Sequence, residues 1–489
     1  MNKTFYVFAL LSFFLMSAQD GSPDSSFGGN GVILQEFDCE NLYIRSSLEL
    51  NDGTILFSAS CYTSSTTHFL MQVDENGNLV STYGENGILL LPDNFVIFNL
   101  HKQLADDSIL IYGENLNINP NYDALYKISI DAEVDQSYGD DGALVITQSN
   151  LYSKKFVILD NGGVLIADYS NDETIEFVKY DSNGAIDNSF PSITTAIQIN
   201  GDYDRLAQLS LSVTNEIFLG IRGLEGELHV HTIYRFNEDG TINNEYGTNG
   251  FTIVPEPVSE TDPYWFSYTL LQNNEIIVSR TLYDWEGGLT ETRIFKLNEN
   301  GSTNSSFGNN GQVIVNSYAG TVFEQGNGKV LFHGTVSDFE GGINFTMMRF
   351  HSDGNVDNTF NFQPNFGEMG SYGPLHHSNG KIYILGSTIW YNAPPMNFIM
   401  LRYNNSPLGI DEENTGNFSV SPNPSKDIFT ISQFSMLSSP KPYTIFDLKG
   451  ILLIQGEFQK QNTEVDLSQY ESGIYLLKVE NSTFQLIKN

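Results

Sequence analysis

The sequence predicts an all-β protein, a seven-bladed β-propeller closed by shared N- and C-terminal strands and followed by a small β-sandwich C-terminal domain. Three observations lead to this prediction. A unit of about 55 residues recurs seven times, and apolar residues alternate with period two between Asn- and Gly-rich turns. The segment after a short leader also repeats a motif that the last unit lacks. A four-stranded antiparallel sheet fits this repeat length, because a solenoid coil needs roughly half as many residues or fewer.

The leader, residues 1–18, has the features of a secretory signal peptide. Lys3 precedes an apolar run from Phe5 to Met16, and Ser17-Ala18 supplies the small residues of a cleavage site. The run is too short to span a membrane. We therefore expect export, a mature chain that starts at Gln19, and no membrane span.

Three short patterns mark each unit of the propeller, residues 19–405. A polar turn precedes a β-rich run at Ile55, and equivalent turns precede Ile109, Val164, Ile217, Ile276, Val330 and Ile382. A base stands between two apolar residues at Lys127, Lys179, Arg235, Lys296, Arg349 and Arg402. An aromatic residue begins an aromatic-Gly-x-x-Gly motif at Phe27, Tyr83, Tyr138, Tyr246 and Phe307, whereas Phe190 and Phe360 have lost the glycines. We expect the bases to be structural and to pair with acidic neighbours where blades meet.

The two ends of this region predict closure of the ring. The stretch from Asp20 to Gly31 closely matches the internal stretch from Asn300 to Gly311, and the last unit stops at Leu401–Asn404, just where that stretch should follow. Pairing of these end segments in one sheet would remove the free strand edges of an open row. The recurring patterns resemble the delta-60 repeat family of secreted bacterial propeller-like proteins. That resemblance implies the fold and no settled activity.

A linker at residues 406–416 leads to a different module, residues 417–489. Its blocks include Pro422-Asn423-Pro424, a turn at Gly450, and Gly473 followed by Tyr475, and their alternation predicts a small β-sandwich. In this order the blocks resemble the type A C-terminal sorting domain of the type IX secretion system of Bacteroidota, although Ser421 stands where that family often has an aromatic residue. The resemblance implies that residues 417–489 engage the type IX secretion machinery. It also implies that the protein is secreted or reaches the cell surface.

The amino-acid composition limits the classes of ligand that the protein can bind. The chain has 59 acidic and 23 basic residues, a net charge of −36. Such a charge argues against binding nucleic acid or acidic polysaccharide, because binding to phosphates depends on Lys and Arg.

The only two cysteines, Cys39 and Cys61, lie on opposite sides of a predicted turn. Export permits a disulfide between them, with two buried thiols as the alternative.

Metal and catalytic motifs are weak in this sequence. His229-x-His231 and His376-His377 lack further ligands at matching spacing, so we interpret them as structural or solvated. Turns such as Asp74-x-Asn76-Gly77 resemble the start of a calcium loop, yet Asx turns explain them better. We expect no metal and no cofactor, with calcium as the alternative. No nucleophile elbow or Ser/His/Asp order stands out, so no catalytic residue is assigned.

Aromatic residues give the functional hypothesis. Trp285, Phe339 and Trp390 fall at equivalent positions after the second strand of successive units, with Tyr391 and Tyr283 nearby. An arc of such rings on one face would bind a glycan or a protein. The alternative is that each ring packs on its own loop. The leading interpretation is a non-enzymatic binding or adhesion protein. A polysaccharide-degrading enzyme with its site at the propeller channel and a structural surface spacer are the alternatives.

Overall fold

The computed structural model describes residues 20–28, 30–117, 123–146, 154–170, 174–191, 193–196, 205–225, 228–255, 262–271, 273–283, 290–325, 328–337, 343–362, 369–388, 396–405, 418–421, 425–433, 441–447, 452–458, 462–470, 473–479 and 482–488. These residues form strands and turns, and none of them is helical. No helix among them could therefore cross a membrane. The chain divides into two compact units, Met1–Asn405 and Ser406–Asn489.

The first unit is built from small antiparallel sheets. Its strands are β1 (Val32–Phe37), β2 (Asn41–Glu49), β3 (Ile55–Tyr62), β4 (Thr66–Val73), β5 (Ile88–Leu90), β6 (Phe95–Gln103), β7 (Ile109–Asn115), β8 (Ala124–Ile128), β9 (Leu144–Val145), β10 (Lys154–Ile158), β11 (Val164–Ser170), β12 (Thr174–Tyr180), β13 (Ile193–Ala196), β14 (Arg205–Leu211), β15 (Ile217–Glu225), β16 (Leu228–Phe236), β17 (Phe251–Ile253), β18 (Asp262–Leu270), β19 (Ile276–Tyr283), β20 (Thr290–Leu297), β21 (Gln312–Val315), β22 (Tyr318–Glu324), β23 (Val330–Ser337), β24 (Ile343–Phe350), β25 (Met369–His376), β26 (Ile382–Thr388) and β27 (Met396–Tyr403).

Within the described residues these strands form seven sheets, numbered here along the chain. Sheets one to five have four strands each in chain order: β2–β5, β6–β9, β10–β13, β14–β17 and β18–β21. Sheet six contains β22, β23 and β24, and sheet seven has the order β1-β27-β26-β25. The all-β fold with a four-stranded repeat is therefore as the sequence predicts.

Sheet seven combines both ends of the unit. Strand β1 pairs antiparallel with β27, in a register that places Val32 opposite Leu401 and Phe37 opposite Met396. Four further backbone hydrogen bonds precede this ladder, among them those from Gly21 N to the Asn404 oxygen and from Asp24 N to the Arg402 oxygen, each 2.8 Å long. The start of the unit thus supplies an outer strand to its last sheet.

Neighbouring sheets share apolar cores. Phe57 of sheet one is fully buried in one cluster with Tyr383 and Met400 of sheet seven. Leu56 of sheet one lies in another cluster with Ile111 of sheet two. Similar clusters join each of the remaining consecutive pairs of sheets. Because both faces of a sheet are covered in this way, the strands carry more apolar residues than a sheet with one solvated face.

The six repeated bases each pair with a carboxylate, as predicted. The closest N···O distances fall between 2.6 and 3.7 Å, in the pairs Lys127–Asp106, Lys179–Asp187, Arg235–Glu216, Lys296–Glu275, Arg349–Asp357 and Arg402–Asp24. Some of the bases also reach the next sheet, since an Arg402 Nη1 donates to the Glu75 backbone oxygen at 2.7 Å. These bases stabilise the joins between sheets.

Cys39 and Cys61 form a disulfide bond, with their Cα atoms 5.5 Å apart. Cys39 lies between β1 and β2, where the chain passes from sheet seven to sheet one, and it is 1% exposed. Cys61 lies in β3. The bond therefore fixes this crossing to the second strand of sheet one.

The second unit has two sheets in its described residues. Its strands are β28 (Phe418–Ser421), β29 (Ile428–Gln433), β30 (Lys441–Asp447), β31 (Leu452–Phe458), β32 (Asn462–Asp466), β33 (Gly473–Val479) and β34 (Ser482–Lys488). The sheets have the orders β28-β29-β32 and β31-β30-β33-β34, and Phe429 of one shares a core with Leu477 of the other. Gly473 begins β33, and Tyr475 is 8% exposed. Pro422, Asn423, Pro424 and Gly450 lie outside the described residues.

Candidate functional site

The predicted aromatic arc falls mainly outside the described residues. Trp285 lies between β19 and β20, Phe339 between β23 and β24, and Trp390 and Tyr391 between β26 and β27. Tyr283 is the last residue of β19, and its side chain is not among those described. The sequence positions are thus those of second-to-third-strand connections, and the arc itself stays a prediction.

The described histidines have structural surroundings. His231 is fully buried and stacks on Phe266, with ring centroids 4.3 Å apart. His377 places its Nε2 3.0 Å from the Gly53 oxygen, and His376 packs 5.1 Å from Phe323, ring centre to ring centre. In the described part of the chain, no group of three or more His, Cys, Asp or Glu side chains is placed to hold a metal ion.

The turns that resemble calcium loops are Asx turns. The Asp74 Oδ1 accepts hydrogen bonds from the backbone N–H of Asn76 at 2.9 Å and of Asn78 at 2.8 Å. Asp181 accepts the equivalent pair from Asn183 and Ala185. These carboxylates therefore cap their own turns, as the sequence predicts.

The first strand of each sheet carries a different set of polar and aromatic side chains. First strands of neighbouring sheets pack on one another, as β2 does on β6 and β10 on β14. In every sheet the first and second strands are antiparallel, so the start of the first strand lies beside the end of the second. The connection from the second strand to the third begins at this same end of the sheet. We call this the upper end of a sheet. Six residues near the upper ends of sheets one to three form what we call the inner-strand cluster: Tyr43, Arg45, Tyr62, Phe98, Tyr112 and Phe156.

Arg45 is the central cation of the inner-strand cluster. Its Nε donates to the Ser60 hydroxyl at 2.7 Å, and one Nη donates to the Tyr62 hydroxyl at 3.0 Å. Its guanidinium carbon lies 5.6 Å from the centre of the Phe98 ring of the next sheet, within reach of a cation–π interaction. Hydrogen bonds and an aromatic face thus hold this side chain in one orientation.

A buried pair supports Arg45 from behind. Ser60 is fully buried, and its hydroxyl lies 2.8 Å from His68 Nδ1. The Ser60 oxygen accepts from Arg45, so its hydroxyl bridges the guanidinium and the imidazole. Burial lowers the pKa of His68, and the positive charge of Arg45 lowers it further. His68 thus helps to hold Ser60 beside the guanidinium.

Aromatic rings extend the inner-strand cluster across three sheets. Tyr43 is 49% exposed and meets Tyr62 edge to face, at 5.2 Å between ring centroids. Phe98 lies 6.0 Å from Tyr112, and Tyr112 lies 5.6 Å from Phe156. All but Tyr43 are half-buried. The exposed Tyr43 ring can stack on a sugar ring, and the oriented guanidinium beside it can donate hydrogen bonds to the sugar's oxygens.

A cleft between sheets four and five is the competing candidate. It encloses about 540 Å³ and is lined by Arg235, Asn243, Glu245, Tyr246, Asn298, Glu299 and Asn300. Its cation is already engaged, since Arg235 contacts Glu216 at 2.7 Å and donates to the Glu299 backbone oxygen at 3.0 Å. Tyr246 is only 1% exposed. The cleft therefore belongs to the repeated structural join.

Sequence reasoning missed the inner-strand cluster. Tyr43 and Arg45 belong to none of the three recurring patterns. A signal was nevertheless present for Tyr43, because it stands between Leu42 and Ile44, and the alternation of a strand places its large polar side chain on the opposite face from two buried ones.

Two family models match parts of the chain. Residues 419–489 match a secretion system C-terminal sorting domain. Residues 325–360 match a β-propeller domain of unknown function, DUF5122. No curated protein matches the chain.

Several solved structures are similar to parts of the chain, each with a TM-score below 0.5. One is a polysaccharide lyase of family PL25, an ulvan lyase, with 9% identity and a TM-score of 0.44, covering 79% of this chain and 95% of the lyase. Another is the BP39L lectin from Burkholderia pseudomallei, with 9% identity and a TM-score of 0.41, covering 76% and 99%. The β-propeller domain of the Trilobed protease from Pyrococcus furiosus has 10% identity and a TM-score of 0.39, covering 75% and 94%. Similarities this distant carry no argument about function.

The sorting domain determines the destination of the protein, because a type IX sorting domain directs export across the outer membrane to the cell surface or medium. The described residues before it form small antiparallel sheets joined by shared cores. The chain is therefore a β-propeller protein with a type IX secretion system C-terminal sorting domain.

Proposed function

We propose that this protein is an exported, non-enzymatic binding protein whose ligand is a glycan, and that the inner-strand cluster is its binding site. The proposal includes a signal peptide at residues 1–18, a propeller at 19–405, a linker at 406–416 and the sorting domain at 417–489. The observation that carries it is the exposed Tyr43 ring beside Arg45, a cation oriented by Ser60, Tyr62 and Phe98.

The proposed architecture is a closed ring of seven blades. Support comes from the pairing of β1 with β27 and from the core that sheets one and seven share around Phe57. In such a ring the first strands surround the axis, so the inner-strand cluster would line the mouth of the central channel. The second-to-third-strand connections share its upper end, and the arc of Trp285, Phe339 and Trp390 would then extend the same face.

Binding of the exported protein to immobilised glycans tests this proposal. We expect Tyr43→Ala to weaken binding by about tenfold or more, because an aromatic anchor contributes roughly 2 kcal/mol at a binding hot spot. Leu90→Ala is the matched control, since Leu90 is 65% exposed on the outer strand of the same sheet. It should leave the affinity unchanged.

Three results would overturn the proposal. Equal binding by the Tyr43→Ala and native proteins would remove the site, and failure to bind any glycan would remove the function. Release of new reducing ends or unsaturated sugars from a bound polysaccharide would show an enzyme instead.

A further inference from the structure

The first strands of the sheets differ in charge from the rest of the protein. Acidic residues outnumber basic ones by 59 to 23 in the whole chain. On the seven first strands the bases prevail, with three acids, Glu49, Asp262 and Glu324, against five bases, Arg45, Lys102, Lys154, Lys155 and Arg205. Four of the bases lie in the upper half of their strands. A second-strand base, Arg222, is directly opposite Arg205 in the register.

Arg45 differs from the six repeated bases in its partners. Each repeated base pairs with a carboxylate, whereas Arg45 is held by the neutral oxygens of Ser60 and Tyr62. Among the described residues, no carboxylate lies within ion-pair distance of Arg45. Its positive charge is therefore available to a ligand at the place where Tyr43 is exposed.

Sheet three adds a second such cation. Lys154 pairs with Asp168 at 3.2 Å, but its neighbour Lys155 has no carboxylate within ion-pair distance in the described part of the chain. Lys155 is half-buried, and burial lowers its pKa. A half-buried ammonium without a carboxylate gains from an anion that replaces its lost hydration. Arg45 and Lys155 thus add two positive charges without a carboxylate partner to the first strands of sheets one and three, with Lys155 on the face of its strand opposite Phe156.

We propose that the ligand is an acidic polysaccharide, bound through its carboxylate or sulfate groups by Arg45 and Lys155 while a sugar face stacks on Tyr43. This proposal rests on the glycan-binding function proposed above and adds the chemical class. A guanidinium is suited to it because its planar N–H fork matches both anions. The net charge of −36 does not prevent such binding, because charges farther than about 8 Å away are largely screened at physiological ionic strength. The carboxylate that contacts the cluster, Asp123, is engaged by the Tyr112 hydroxyl, which donates to its Oδ2 at 2.9 Å.

The test compares polygalacturonate, which carries carboxylates, dextran sulfate, which carries sulfate esters, and neutral dextran, each immobilised and probed with the full exported chain. We expect binding to one or both acidic polymers, little to dextran, and an affinity that falls as salt increases. Arg45→Gln and Lys155→Gln should each weaken acidic binding by about tenfold, the loss of one charge-assisted contact. Lys102→Gln is the matched control, because Lys102 lies at the lower end of its strand and already pairs with Asp160 at 3.1 Å. It should bind like the native protein.

The outcomes separate the two proposals. Equal binding to dextran and to the acidic polymers, with no effect of Arg45→Gln or Lys155→Gln, overturns the ligand class and leaves the glycan-binding function standing. Binding to no polysaccharide overturns both. Equally tight binding to duplex DNA, or an equal loss in Lys102→Gln, would show unspecific ion exchange and overturn the assigned site. Thermal unfolding of each variant identifies a loss caused by misfolding, and two separate cations keep the test decisive if one variant fails to fold.

Discussion

At the scale of single residues, a turn glycine determines how closely two sheets approach. Gly77 has φ of +82°, and a Cβ atom on it would lie 2.2 Å from Ile33 Cδ1 and 2.8 Å from the Phe27 ring. Gly77 belongs to sheet one, while Phe27 and Ile33 belong to the segment that completes sheet seven. A side chain at position 77 would therefore push these sheets apart. A Cβ atom on Gly301 would likewise lie 3.0 Å from the Tyr246 ring.

We predict that Gly77→Ala destabilises the protein by about 3 kcal/mol, from the unfavourable φ and from the overpacked join. Gly53→Ala is the matched control, because Gly53 has φ of +80° and nothing within 4 Å of a built Cβ. It should lose only the backbone contribution, about 1 kcal/mol. Denaturant unfolding measures both free energies, and equal losses would contradict the packing role of Gly77.

At the scale of the repeated element, five of the six repeated bases receive their closest carboxylate from one of two positions, and Lys127 receives it from a third, Asp106. One position is three residues before the aromatic residue of the motif, and the other directly precedes the second strand. In sheet four the first position is Asn243, and Glu216 at the second supplies the carboxylate to Arg235. In sheet six, Asp357 stands in the motif and itself contacts Arg349 at 2.6 Å, while Lys329 occupies the position of Glu216. Sheet five has the arrangement of sheet four, with Glu275 as the carboxylate. Sheet seven has the arrangement of sheet six, with Asp24 as the carboxylate.

Because the carboxylate occupies either of two positions, a carboxylate added at one position should restore the stability lost when it is removed from the other. Arg235 and Glu216 are 12% and 19% exposed, so Glu216→Gln leaves a nearly buried cation without its carboxylate and should cost about 2 kcal/mol of unfolding free energy. Adding Asn243→Asp places a carboxylate where sheet six has one and should restore most of that loss. A double-mutant cycle measured by chemical denaturation gives the coupling. No gain from the second substitution would show that the two positions are not interchangeable.

The repeated patterns made these elements predictable, whereas the first strands were not. Turn glycines, the repeated bases and the aromatic motifs recur at fixed intervals because the joins between sheets demand the same geometry each time. The first strands share no such demand, and their ladders contain irregularities, between Ile44 and Ser46 in β2 and between Ile97 and Asn99 in β6. Each irregularity shifts the alternation of faces, so period two alone does not assign the later side chains. The site residues Arg45 and Phe98 lie at these irregularities.

At the scale of the whole first unit, strand β1 joins three parts of the structure. Ile33 lies in β1, pairs with Met400 of sheet seven and packs against the core of sheet one. Its neighbour Leu34 is 52% exposed. The disulfide from Cys39 holds the chain immediately after this strand. The strand predicted from the matching ends of the sequence thus contributes both a ladder and a core.

We predict opposite outcomes for two adjacent substitutions in β1. Ile33→Lys places a charge in a packed core and should lower the unfolding free energy by about 3 kcal/mol, whereas Leu34→Lys on the exposed face should change it by less than about 0.5 kcal/mol. Thermal and denaturant unfolding of the two variants provide the comparison. Similar stabilities would mean that β1 does not pack its Ile33 face against the core of sheet one in this register.

The hydrogen bond from Gly21 N to the Asn404 oxygen holds the two ends of the first unit side by side. Asp20 and Asn405, the first and last residues described in this unit, both accept a hydrogen bond from Arg349 Nη1, so the two ends of the unit are neighbours. Neighbouring ends also permit circular permutation. A chain in which a short Gly-Ser bridge joins Asn405 to Asp20 and new ends are opened at the exposed Asn51–Asp52 turn should fold to the same structure.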